Sequence, residues 1–155
     1  MTAAKTHLSL NVRDVDASTR WYEAFLGQAA HKRRPGYANF DIDSPGLKLA
    51  LQEAPDKACA CGPLNHLGIL VASTDDVLAA KQRLETAGLV TFSEENVTCC
   101  YARQDKIWVR DPDGNAWEVY ALLDDMLDDH SHEEVGACCS DKEACCAGAP
   151  ASACC

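Results

Sequence analysis

Two stretches alternate apolar and polar side chains with a period of two: His7-Leu8-Ser9-Leu10-Asn11-Val12 and His66-Leu67-Gly68-Ile69-Leu70-Val71. Each predicts a half-buried β-strand. A run with helical spacing follows each. From about Asp16 to Leu26 the apolar side is Trp21, Tyr22, Phe25 and Leu26, with Gly27 as a stop signal. From about Asp75 to Ala87 it is Val77, Leu78, Leu84 and Ala87, with Gly88 as the stop. Asp14 or Asp16 can cap the first helix, and Ser73 with Asp76 resembles a capping box for the second. Each half then closes in a hairpin. The first turns at Asp43-Ser44-Pro45-Gly46 between residues 38–42 and 47–52, the second at Asp111-Pro112-Asp113-Gly114 between residues 107–110 and 115–120. The plan is β-α-β-β-β, twice. The predicted class is α+β, with two curved sheets side by side around one cleft.

A chain of 155 residues with 47% hydrophobic residues suits one domain with an ample core. No stretch approaches the ~20 continuous apolar residues of a membrane span. The opening residues lack the apolar run of a signal peptide, so a cytoplasmic protein is expected. The net charge of −10 is uneven. From Asp124 onward eight acidic residues and one lysine give −7; the preceding 123 residues carry sixteen acidic and thirteen basic residues, only −3. The division expected is a domain over 1–123, with modules at about 5–53 and 64–122, and an acidic, Cys-rich, disordered tail over 124–155. No basic patch could track phosphates, which argues against nucleic acid. Lys32-Arg33-Arg34 reads as a solvated loop.

Eight of the ten cysteines form adjacent pairs: Cys99-Cys100, Cys138-Cys139, Cys145-Cys146 and Cys154-Cys155. Neighbouring Cα atoms lie about 3.8 Å apart, short of the roughly 4.4 Å at which ordinary disulfides begin. Both thiolates of a pair can instead reach one large, soft centre. Three pairs sit in the tail. Cys99-Cys100 alone lies inside the patterned domain, where it marks a site or, more plainly, small buried residues beside Tyr101. Cys59 and Cys61 fall in the link between modules, as incidental residues or as transient metal ligands.

The internal repeat lets one position be read against another. His7 and His66 are equivalent, and aligning the hairpin glycines sets Glu118 opposite Ala50. Three of four equivalent positions therefore carry metal ligands and one is blank. Two histidines and a carboxylate leave coordination positions open, as non-haem Fe(II) oxygen chemistry requires; a catalytic zinc could use the same set. His31, His130 and His132 have no such equivalents, and Glu53 is a displaced substitute for Glu118.

The doubled plan, His-Leu at each module's start and Asp-Pro-Asp-Gly-Asn-Ala-Trp-Glu at 111–118 resemble the vicinal oxygen chelate superfamily over residues 5 to 122. That superfamily includes glyoxalase I, extradiol dioxygenases and bleomycin-resistance proteins. More narrowly, Asn96-Val97-Thr98-Cys99-Cys100-Tyr101-Ala102 with the Cys-pair tail is similar to bacterial organoarsenical carbon–arsenic lyases and cadmium-induced proteins. The resemblance implies an Fe(II)-dependent, O₂-consuming dioxygenase that releases arsenite from trivalent organoarsenicals. It assigns His7, His66 and Glu118 to the metal and to catalysis. Cys99 and Cys100, with Tyr101 beside them, go to substrate. The partner implied is a small molecule, on a monomer or homodimer. The alternative is a protein that binds cadmium or arsenite through its thiols without catalysis.

Overall fold

The computed structural model describes residues 4–59, 62–99 and 102–125. The first module runs β1 (Thr6–Val12), α1 (Val15–Leu26), β2 (Lys32–Arg34), β3 (Tyr37–Ile42) and β4 (Leu47–Glu53). The second runs β5 (Leu67–Leu70), α2 (Thr74–Thr86), β6 (Phe92–Cys99), β7 (Ala102–Arg110) and β8 (Ala116–Asp125). Each module is a mixed four-stranded sheet, ordered β1-β4-β3-β2 and β5-β8-β7-β6. In both, the first strand pairs parallel with the last and the other pairs are antiparallel. The doubled α+β plan predicted from the hydrophobic pattern is the one found.

Local chemistry sets the helix ends. Asp14 accepts from the Ala17 amide at 2.8 Å, and Gly27, at φ 68°, closes α1 in the left-handed region that favours glycine. Ser73 accepts from the Asp76 amide at 3.2 Å and donates its hydroxyl to the Asp76 carboxylate at 2.8 Å. Glu53 turns back to accept from the Val15 amide at 3.0 Å. It satisfies a helix N-terminus, which is a structural use for a residue that the sequence offers as a spare ligand. The Lys32–Arg34 segment is a short edge strand rather than a loop. All three residues are exposed, so only backbone pairing with β3 makes it a strand, and its charges guard the edge.

Leu10 and Val12 of β1, Tyr22 and Phe25 of α1, and Trp117 and Val119 of β8 share one hydrophobic core with their neighbours. Strand alternation then fixes the opposite faces. His7, Ser9 and Asn11 lie on the face of β1 away from that core, and Glu118 and Tyr120 on the corresponding face of β8. The two modules meet along a seam. Ser9 and Asn11 line a cavity of about 220 Å³ together with Gly62, Leu64 and Asp113, which brings β1 alongside the chain that leads into β5. Arg83 of α2 donates to the carbonyls of Ala24 and Phe25 at the end of α1, at 2.6 and 2.9 Å. Among the described residues no helix is long and apolar enough to cross a membrane.

Candidate metal centre

Strand register gives a direct measure of the repeat. Ser9, two residues after His7, pairs with Ala50 across β1 and β4. Gly68, two residues after His66, pairs with Glu118 across β5 and β8. The carboxylate and the alanine thus occupy the same place in the two modules.

His66 and Glu118 come together. His66 Nε2 lies 3.6 Å from Glu118 Oε1, with the glutamate side chain 10% exposed and the imidazole 36% exposed. His66 Nδ1 is hydrogen-bonded to Asn65 Oδ1. With the ring proton on Nδ1, that contact leaves the Nε2 lone pair facing the carboxylate. Two lone-pair atoms that close favour a cation between them, and 3.6 Å is near the separation of two ligands each ~2.1 Å from a shared ion. The imidazole stands edge-on to Trp108, with ring centroids 5.2 Å apart.

Lys106 completes this cluster. It is 3% exposed and donates from Nζ to Glu118 Oε2 at 3.3 Å, while its ammonium lies 5.2 Å from the Trp108 ring centroid. A carboxylate this buried needs a positive partner. With Oε2 committed to Lys106, Oε1 is the oxygen turned toward His66. Lys106 and Trp108 pair across the hairpin with Tyr120 and Glu118, so they share the ligand face. Counting outward from the Asp111–Gly114 turn with a period of two places both on one face, but the burial of Lys106 follows only from the register that sets it beside Glu118. Buried lysines are uncommon, and the charge of Lys106 masked its place.

The arrangement fits a divalent metal in donor type and, for two ligands, in position. His7 is exposed on β1 of the other sheet. Among the described residues no group of three or more His, Cys, Asp or Glu side chains is gathered to hold an ion. Cys99 is the last residue of β6, paired with Ala102 of β7 in the sheet that carries Glu118 and whose first strand His66 precedes. Cys100, Tyr101, Cys61 and the tail beyond residue 125 lie outside the described residues. Cys59 is exposed and lines the seam cavity.

Gly68 is a further site residue that the sequence did not mark. A Cβ there would stand 3.0 Å from both Cγ and Oε1 of Glu118 and 3.1 Å from the Tyr120 ring. The bare backbone gives the carboxylate its berth. If Glu118 serves as a metal ligand, Gly68→Ala is expected to fold but to bind a divalent ion at least about 10-fold more weakly, as disturbing the support of a ligand commonly does. Equilibrium dialysis checks this, and wild-type affinity would show that Glu118 does not need the space.

The family model described as "Glyoxalase/Bleomycin resistance protein/Dioxygenase superfamily" matches residues 6–119. The chain is 44% identical over 144 residues to the cadmium-induced protein CadI of Mycobacterium tuberculosis, covering 88% of this chain and 93% of that one. It is 40% identical over 150 residues to the trivalent organoarsenical cleaving enzyme of Thermomonospora curvata, covering 97% of each. Among solved structures, a glyoxalase/bleomycin resistance protein/dioxygenase from Alicyclobacillus acidocaldarius superposes with a TM-score of 0.65 at 20% identity, over 83% of this chain and 98% of that one.

Proposed function

The chain belongs to the glyoxalase/bleomycin resistance protein/dioxygenase superfamily, and within it we propose an Fe(II)-dependent enzyme that cleaves the carbon–arsenic bond of trivalent organoarsenicals and releases arsenite. The observation that carries this reading is the pairing of His66 Nε2 with Glu118 Oε1 at 3.6 Å, on the face where the repeat expects a metal. His7 is the third ligand in this proposal. Bound there, Fe(II) would supply the capacity to activate O₂, because two histidines and one carboxylate leave positions open. Lys106 holds Oε2 and balances the glutamate's charge. Trp108 walls the imidazole.

Cys99 and Cys100 are the proposed hold on substrate. An organoarsenical with one carbon on As(III) carries two exchangeable As–O bonds. Two thiols replace them, forming two As–S bonds and releasing two waters, while the carbon–arsenic bond stays intact and projects away. Fixing arsenic at two points orients that bond toward the metal and makes the encounter effectively intramolecular.

The test is to incubate Fe(II)-loaded protein with methylarsonous acid under air and under nitrogen and to measure arsenite. Arsenite is expected in air alone. Equal release under nitrogen, or none in air, would sink the oxygen-dependent reaction. A second reading is favoured by the equal closeness of the cadmium-induced relatives and by the paired cysteines: retention of cadmium or arsenite through thiols, without turnover. It predicts bound metal and no arsenite release under either gas.

A further inference from the structure

The turn that opens β8 is built into the other module. Asp111 and Asp113 are both 5% exposed. Asp113 Oδ1 accepts from the Arg13 amide at 3.1 Å, and Oδ2 accepts from the Ser18 hydroxyl at 3.3 Å. Asp111 Oδ2 accepts from the Tyr22 hydroxyl at 2.7 Å, and Tyr22 accepts in turn from the Trp117 indole at 3.1 Å. The remaining oxygen, Asp111 Oδ1, is taken by the amides of Asp113 and Asn115 at 3.0 and 2.8 Å. Four carboxylate oxygens are thus satisfied, three of them by donors from the first module.

The endpoints matter. Arg13 directly follows β1, the strand of His7, and Asp113 lies in the turn before β8, the strand of Glu118. Trp117 is the immediate neighbour of Glu118. The two sheets are separate ladders among the described strands, so backbone pairing does not set β1 against β8. Packing and this buried network must. Arg83 ties the modules at the opposite end of α1, away from the ligand-bearing strands.

We infer that the Asp111–Asp113 turn is a positioning device that holds the His7 strand in register with the Glu118 strand, so that one ion can be shared by ligands from both modules. The inference rests on the metal reading above. Asp111 and Asp113 touch neither metal nor substrate; they act through the placement of β1.

The experiment is a double-mutant cycle on Fe(II) affinity, measured by anaerobic equilibrium dialysis, with thermal unfolding of the metal-free protein recorded alongside. Asp113→Ala is expected to weaken Fe(II) binding about 10-fold, in the range seen when residues behind metal ligands are removed. Asp113→Asn should recover most of that loss, because its amide oxygen still accepts from the Arg13 amide. Asp113→Ala in a His7→Ala background should cost nothing further, since the ligand it positions is gone. Should Asp113→Ala fail to fold, Ser18→Ala removes one donor and should show the same non-additivity with His7→Ala on a smaller scale. Additive losses, or wild-type affinity in the position 113 and 18 variants, would overturn the inference and leave the metal reading standing. A wild-type chain that binds no Fe(II), or a His7→Ala chain with undiminished affinity, would instead remove the ligand assignment, and the inference with it.

Discussion

His66→Ala should abolish Fe(II) binding and arsenite release in a protein that still folds. His66 is more than a third exposed and precedes β5, so trimming it empties no core space; such surface changes usually alter stability by less than about 0.5 kcal/mol. The proposed metal site loses one of the two side chains that already face each other. Iron stoichiometry, circular dichroism and arsenite release measured on one sample decide the matter. A folded His66→Ala protein that keeps its iron would dispose of the assignment. Glu118→Ala makes a poorer test, because Lys106 would be left buried without its carboxylate. Breaking a buried ion pair from one side costs about 3–5 kcal/mol, and lost metal binding could then simply follow lost structure.

The contrast between these two ligands also shows what could be read without coordinates. The alternation in His7–Val12 and His66–Val71 names strands and faces at once, because a period of two leaves His7 and Glu118 opposite residues that must be buried. Repeat equivalence extends this across strands, and the pairings Ser9 with Ala50 and Gly68 with Glu118 follow it. Three things were not legible in that way. Lys106 is buried because Glu118 lies diagonally across the hairpin from it, a fact of register rather than composition. Gly68 reads as a weak strand residue until the Glu118 carboxylate is seen to occupy the space a methyl would fill. The first module has the inverse pair, Ser9 facing Ala50, with the Ser9 hydroxyl accepting from Gln52 at 2.9 Å. The Asp-Pro-Asp-Gly turn reads as a chain reversal, while the docking of its carboxylates on Arg13, Ser18 and Tyr22 depends on contacts some ninety to one hundred residues apart.

Replacing Cys99 or Cys100 by Ser is expected to cost about 100-fold or more in turnover while Fe(II) binding stays at the wild-type level. Cys99 closes β6 against Ala102, the first residue of the strand that carries Lys106 and Trp108. Serine keeps the size but not the chemistry: its hydroxyl stays protonated and hard, whereas arsenic selects the soft thiolate. In the proposed site, one remaining thiolate would let arsenic pivot about a single As–S bond. The carbon–arsenic bond then loses its fixed direction, and a misplacement of about 1 Å can cost ~10²-fold in rate. The loss should fall mainly on kcat for the single variants, because one As–S bond still retains substrate, and on KM as well for the double variant. Iron stoichiometry separates this from damage to the metal site, since neither cysteine is among the proposed ligands. A double Cys→Ser protein that releases arsenite at the wild-type rate would show that substrate is held elsewhere, and the vicinal pair would then be read as small residues packed beside Tyr101.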